Sequence, residues 1–152
     1  MKAVTAEVRL GDKRVALAVP TTYMNESGAA VAPLVRRFGI EDPARLVVVH
    51  DELDLEPGRL KIKLGGGTAG NNGLRSIQSH LHTLSFTRIR IGIGKPPSRN
   101  RGAEHVLKRP GKAERELLAT AIEEAADAVE LLVAEGTEVA MNRFNAEPTA
   151  QP

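Results

Sequence analysis

Apolar and polar residues alternate with a period of two over the first twenty positions, and the spacing then turns helical. Ala6 to Leu10 and Arg14 to Val19 read as strands joined at Gly11-Asp12, a two-residue hairpin turn with glycine first. Val15, Leu17 and Val19 fall on one face, and Pro20 ends the second strand. A loop from Thr21 to Gly28 carries Met24-Asn25. Val31, Leu34, Val35 and Phe38 then follow helical spacing, with Pro33 expected in a first turn or at a kink. Leu46-Val47-Val48-Val49 is a short β-branched run bounded by polar loops, the pattern of a buried central strand, and it places Asp51 just past the strand's carboxyl end.

The alternation resumes between Arg59 and Leu64, where Leu60, Ile62 and Leu64 oppose Arg59, Lys61 and Lys63. A glycine-dense loop follows, and Leu74, Ile77 and Leu81 mark a short amphipathic helix with Asn72 as its cap. Arg88 to Ile93 is another strand, its isoleucines on one face and Arg88 and Arg90 on the outer one. Gly94 to Gly111 reads as a long loop with a helical turn around Ala103 to Leu107. The strongest helix runs from Ala113 to Glu135, with Leu117, Leu118, Ala121, Ile122, Ala125, Val129, Leu132 and Val133 as its apolar stripe. Gly136 stops it, and Thr137 caps a last helix ending near Asn145. The fold expected is a single α/β domain over residues 1–146, a mixed twisted sheet flanked by helices, with a disordered tail over residues 147–152.

Composition narrows the chemistry. The 152 residues contain no cysteine, which excludes disulfides, thiolate zinc sites and a cysteine nucleophile. Three Phe, one Tyr and no Trp leave little to build a base-stacking platform. No apolar run approaches membrane-spanning length and the N-terminus lacks a signal-peptide core, so a cytoplasmic protein with no membrane contact is expected. The formal charge of +2 hides an asymmetry. Nine bases between Arg88 and Arg115 face only Glu104 and Glu114, a pattern suited either to a polyanion or to a solvated loop.

Candidate chemistry centres on Gly65-Gly66-Gly67-Thr68-Ala69-Gly70-Asn71-Asn72-Gly73-Leu74 and on His50-Asp51-Glu52-Leu53-Asp54. Glycines at this density lose much conformational freedom on folding, and they suit a backbone that approaches a ligand closely. No Gly-Lys-Ser/Thr follows them, so this is not a Walker loop, and they do not stand immediately after a first strand as the dinucleotide-binding Gly-x-Gly-x-x-Gly pattern does. Asp51, Glu52 and Asp54 lack calcium-loop spacing. Asn25, Asp51, Asn71 and Asn72 form a polar set able to converge on one site. Of the histidines, His50 neighbours Asp51 but alternates to the other side of its strand; His80, His82 and His105 lie in a helix end and the basic loop. None is placed as an evident base.

These blocks, taken in order, resemble the bacterial-type peptidyl-tRNA hydrolases. Pro20-Thr21-Thr22-Tyr23-Met24-Asn25-Glu26-Ser27-Gly28 is similar to that family's asparagine-bearing loop. His50 to Leu55, Lys61 to Gly67, Asn72-Gly73-Leu74, Arg88 to Gly94 and Met141 to Asn145 resemble its successive blocks, so the likeness runs from about Ala6 to Asn145. The resemblance implies hydrolysis of the ester joining a peptide to the 3′ end of tRNA, by water that a histidine activates and an aspartate supports. Asp51 matches that catalytic aspartate, and Asn25 and Asn72 match the asparagines that position carbonyl and water, with Met24 beside them. Lys63 and Arg90 match a clamp for the tRNA 5′-phosphate, and Lys95 opens a basic segment reaching Arg109 beside the tRNA groove. No metal or organic cofactor is implied.

Two departures accompany the likeness. The family opens with a strand, a Gly-x-Gly-Asn-Pro-Gly loop and a Thr-Arg-His-Asn segment bearing the catalytic histidine, whereas this sequence begins downstream at Met1-Lys2-Ala3. The expected sheet therefore lacks the family's first strand; a monomer is expected, able to self-associate where that loss leaves apolar surface and a backbone edge open. Asn71 stands where the family commonly has histidine, and an amide does not titrate near neutral pH. Beside the hydrolase, a non-hydrolytic tRNA-binding relative and an inactive remnant stay open at this point.

Overall fold

The computed structural model describes residues 2–95 and 111–146. The helical turn expected at Ala103 to Leu107, most of the basic loop and the tail over residues 147–152 lie outside them. The chain packs as two compact units, Met1–Val47 with Leu64–Thr87, and Val48–Lys63 with Arg88–Pro152.

In the first unit, β1 (Ala3–Leu10) and β2 (Lys13–Pro20) form the expected antiparallel hairpin, with Leu10 opposite Lys13. Gly11 takes φ +63, a value that suits glycine and matches the strand twist of a glycine-first turn. The register puts Val4 across from Val19 and Val8 across from Val15 on one apolar face, of which Val4 and Val19 are each 67% exposed. Among the described residues, these two strands pair only with each other.

After a 3-10 turn at Met24–Glu26, α1 (Ser27–Arg37) packs against α2 (Asn72–Leu81). Gly28 is the contact point: its N–H donates to Ser76 Oγ at 2.9 Å, and a Cβ there would overlap the Ser76 carbonyl and the His80 ring. Pro33 sits inside α1 rather than in its first turn. Its ring is exposed, so the carbonyl one turn back loses its helical donor on a water-accessible side.

The second unit carries β3 (Val47–Glu52), β4 (Leu60–Leu64) and β5 (Thr87–Gly92) in the order β3-β5-β4. Thr87 N–H donates to the Leu46 carbonyl and Ile93 N–H to that of Glu52, so β3 runs parallel to β5. Gly92 N–H donates to Arg59 and Gly65 N–H to Phe86, so β4 runs antiparallel to it. This is the mixed sheet and α/β class that the periodicity predicts. The central position differs, however. The Leu46–Val49 run lies at one side of the three strands with Val49 49% exposed, and β5 takes the middle, where Phe86, Thr87 and Ile89 are fully buried. A β-branched apolar run signals a strand, but it does not report which neighbours the strand acquires. Asp51 consequently lies within β3, not beyond its end.

Two helices complete the unit, α3 (Lys112–Glu135) and α4 (Thr137–Phe144). The expected stripe on α3 is rotated. Ala121, Ala125 and Ala128 are its deepest residues and Ile122 is 60% exposed, because small side chains allow the closest helix approach. Gly136, at φ +97, links the helices and occupies the cap position expected of Thr137. Leu117 packs against Gly58, where a Cβ would come within 3.0 Å of the leucine's own. Asn145 reaches β4 through its side-chain amide, accepting from Ile62 N–H and donating to the Ile62 carbonyl, both at 2.7 Å.

Candidate active site

Met24, Asn25, Asn71 and Asn72 come together in the first unit. Pro20 ends β2, Tyr23 is extended, and the backbone closes into the Met24–Glu26 turn through Glu26 N–H to the Tyr23 carbonyl. Ser27 Oγ donates to the Met24 carbonyl at 2.7 Å and opens α1. The glycine loop delivers the other pair, with Gly65, Gly66 and Gly70 all at positive φ and Asn71 N–H closing a turn onto Thr68.

Gly73 joins the two segments. It is buried, and a side chain there would press on Asn71 Oδ1, Met24 Cγ and Ser27 Oγ at 3.1, 3.3 and 3.5 Å. Glycine there lets the methionine lie against the helix opening without displacing these side chains. Asn25 and Asn72 keep exposed side chains able to meet a ligand.

The cap of α2 is Asn71 and not Asn72. Asn71 is extended, and its Oδ1 accepts from Leu74 N–H at 3.0 Å, which leaves Asn72 as the first helical residue. Asparagine is among the best N-caps, so the Asn71 amide has a structural task. The shift releases the Asn72 side chain from capping.

Asp51, Lys63, Arg90 and Lys95 belong to the second unit. The ladder bonds of the sheet put His50, Glu52, Arg88, Arg90, Lys61 and Lys63 on one face, while Asp51 shares the other with Val49, Ile89 and Ile91. Asp51 is half-buried and Lys63 exposed. The basic face of β5 is not the open one that alternation suggests. Arg88 is 3% exposed and Arg90 is half-buried, its Nη1 lying 3.5 Å from Glu52 Oε1. Lys95 Nζ lies 3.4 Å from Asp54 Oδ1 at an exposed position, and the basic segment beyond it falls outside the described residues.

His50 shows why sequence adjacency to Asp51 is not a dyad. Its Nδ1 meets the Asp51 main-chain carbonyl at 2.8 Å, so the ring donates to backbone and turns away from the Asp51 carboxylate. Burial depresses its pKa and the nearby Arg88 adds to the depression. The bond to Asp51 and the charges of Glu52 and Asp51 oppose it. His50 is thus a neutral ring at neutral pH. His80 Nδ1 meets the Ser76 carbonyl at 2.9 Å, one helical turn back. Among the described residues, no group of three or more acidic or histidine side chains is arranged to hold a metal ion.

Sequence reasoning missed Glu52 as anything but a possible metal ligand. Its signal was present as parity: position 52 alternates with 50 on β3, as 90 does with 88 on β5.

A family model described as Peptidyl-tRNA hydrolase matches residues 1–152. A protein of Rhodococcus erythropolis named Peptidyl-tRNA hydrolase is 53% identical over 139 residues, covering 91% of this chain and 73% of that protein. A namesake from Mycolicibacterium vanbaalenii is 49% identical over 144 residues, 95% of this chain and 74% of its own length. The crystal structure of peptidyl-tRNA hydrolase from Acinetobacter baumannii superimposes with a TM-score of 0.90 at 40% identity, over 98% of this chain and 75% of that one. Matched by the family model along its whole length, and half identical to named members over nine tenths of it, the chain belongs to the peptidyl-tRNA hydrolase family.

Proposed function

We propose that this chain hydrolyses the ester between peptide and tRNA in peptidyl-tRNA, returning free tRNA to translation in the cytoplasm. Residues 1–146 act as one functional domain, and the working form is a monomer. The observation that carries the reading is the packing of the Met24–Glu26 turn onto the opening of α2, which gathers Met24, Asn25, Asn71 and Asn72 in one neighbourhood.

In this reading the exposed amides of Asn25 and Asn72 hold the peptide carbonyl and the attacking water. Met24 offers an apolar wall, and Asn71 fixes the helix end from which Asn72 projects. Asp51 is the carboxylate that would support a general-base imidazole, fixing its tautomer and favouring its charged form. That imidazole is not His50, which faces the other side of β3. Lys63 and Arg90 receive the 5′-phosphate, and Lys95 contributes charge beside the tRNA.

The test is release of N-acetyl-amino acid from N-acetyl-aminoacyl-tRNA by the purified chain. Turnover that Asp51→Ala lowers about 10²–10⁴-fold, the range for loss of general-base support, would support the reading. Binding of tRNA by folded protein without turnover would replace this reading with that of a binding relative.

A further inference from the structure

The polar face of the three-stranded sheet is unevenly charged. Lys61, Lys63, Arg88 and Arg90 share it with a single strand carboxylate, that of Glu52. Glu52 is only 8% exposed, so its charge acts with little screening by water. It is also held from three directions. Its carbonyl accepts from Ile93 N–H at 3.0 Å, Oε2 accepts from Asp54 N–H at 3.3 Å, and Oε1 faces Arg90 Nη1 at 3.5 Å. The same carboxylate favours the charged forms of His50 and Arg88, which places it at the centre of the cluster.

We propose that Glu52 is a positioning residue, which orders the Arg90 guanidinium for a phosphate monoester on the incoming RNA. This rests on the reading of Arg90 as a contact to the tRNA 5′-phosphate. The chemistry favours it on two grounds. An arginine side chain loses much rotamer freedom when it is fixed, and a partner that fixes it beforehand removes that cost from binding. A guanidinium has five N–H donors; Nε of Arg90 is buried and Nη1 faces Glu52, which leaves Nη2 to meet a dianion. Without the carboxylate, the like charges of Arg88 and Arg90 drive each other apart, and Arg90 meets the phosphate from a broad set of poses.

An ion pair that served stability alone would affect all RNAs equally. The experiment therefore measures binding of the full chain to two tRNAs, one with its 5′-phosphate and one treated with phosphatase, for wild type, Glu52→Gln, Arg90→Ala and the double variant. Glu52→Gln is expected to reduce the preference for the phosphorylated tRNA by about 3–10-fold, the worth of one pre-ordered side chain. Its affinity for the dephosphorylated tRNA is expected to stay unchanged, and the double variant to show no less preference than Arg90→Ala.

Full preference in Glu52→Gln, with its loss in Arg90→Ala, would overturn the role of Glu52 and leave the Arg90 reading standing. Full preference in Arg90→Ala would overturn both. An equal loss on the two tRNAs would mark Glu52 as structural and overturn the proposal. Should Glu52→Gln fail to fold, Glu52→Asp keeps the charge but withdraws it by a methylene. It is expected to lose part of the preference, and full retention there would equally overturn the proposal.

Discussion

The β1–β2 hairpin and the β3–β5–β4 sheet are built from the same kind of alternating sequence, yet they hold their shape by different means. In the hairpin, Val4, Val8, Leu17 and Val19 line up on one face and all remain substantially exposed. Its register comes from the turn at Gly11 and the cross-strand ladder. In the sheet, Ile62 and Ile89 are sealed from water, and burial makes a one-residue slip prohibitive. Period-two patterning therefore states which residues share a face and leaves open whether that face is covered.

Substitution separates the two regimes most strongly. Ile89→Ala removes a fully buried side chain from the central strand and is expected to cost about 2–5 kcal/mol. Leu17→Ala, half-exposed in the hairpin, is expected to cost about 1 kcal/mol or less. Urea unfolding of the two variants checks this, and equal losses would erase the distinction between the regions.

An intermediate effect concerns pH. Burial holds the pKa of His50 below its ordinary value of 6.5, so between the native pKa and 6.5 the unfolded chain binds more protons than the native one. Stability is expected to fall as pH drops through that window, and to be fully present above it. His50→Gln should remove this part of the slope in urea midpoints taken from pH 7.5 to 5. The hairpin contains no histidine, so an undiminished slope in that variant would show that groups outside the buried face set the acid sensitivity.

The smallest effect is expected in the hairpin's own ion pair. Arg14 Nη2 lies 3.2 Å from Glu7 Oε1 with both side chains well exposed. Arg14→Ala should change stability by about 0.5 kcal/mol or less, with added salt removing the difference. A larger loss would mean that surface charge shares in fixing the register.

Much of this was legible in the residues. The hairpin turn, the α3 boundaries and the strand at Leu60–Leu64 follow from period, glycine and proline alone, because each depends on neighbours a few positions away. Three features were not. The side position of the Leu46–Val49 run depends on which strands come to flank it. The choice of Asn71 over Asn72 as cap turns on one backbone dihedral, which no amide sequence reveals. The partnership of Glu52 with Arg90 joins residues far apart in the chain, visible only once the strand order is known.

Asn145 gives this architecture a temporal order. Its amide closes the outer backbone of β4 at Ile62, a partner 83 residues earlier. A chain made from its N-terminus therefore carries β4 with that edge open until α4 and Asn145 have left the ribosome. Bonds between such distant residues must overcome a large loop entropy and form late. From the emergence of β5 to that of Asn145, the β4 side of the sheet is a free strand edge at Ile62, a surface prone to pairing with another nascent chain. One asparagine near the end of the described chain thus ends the interval in which β4 stands open at Ile62.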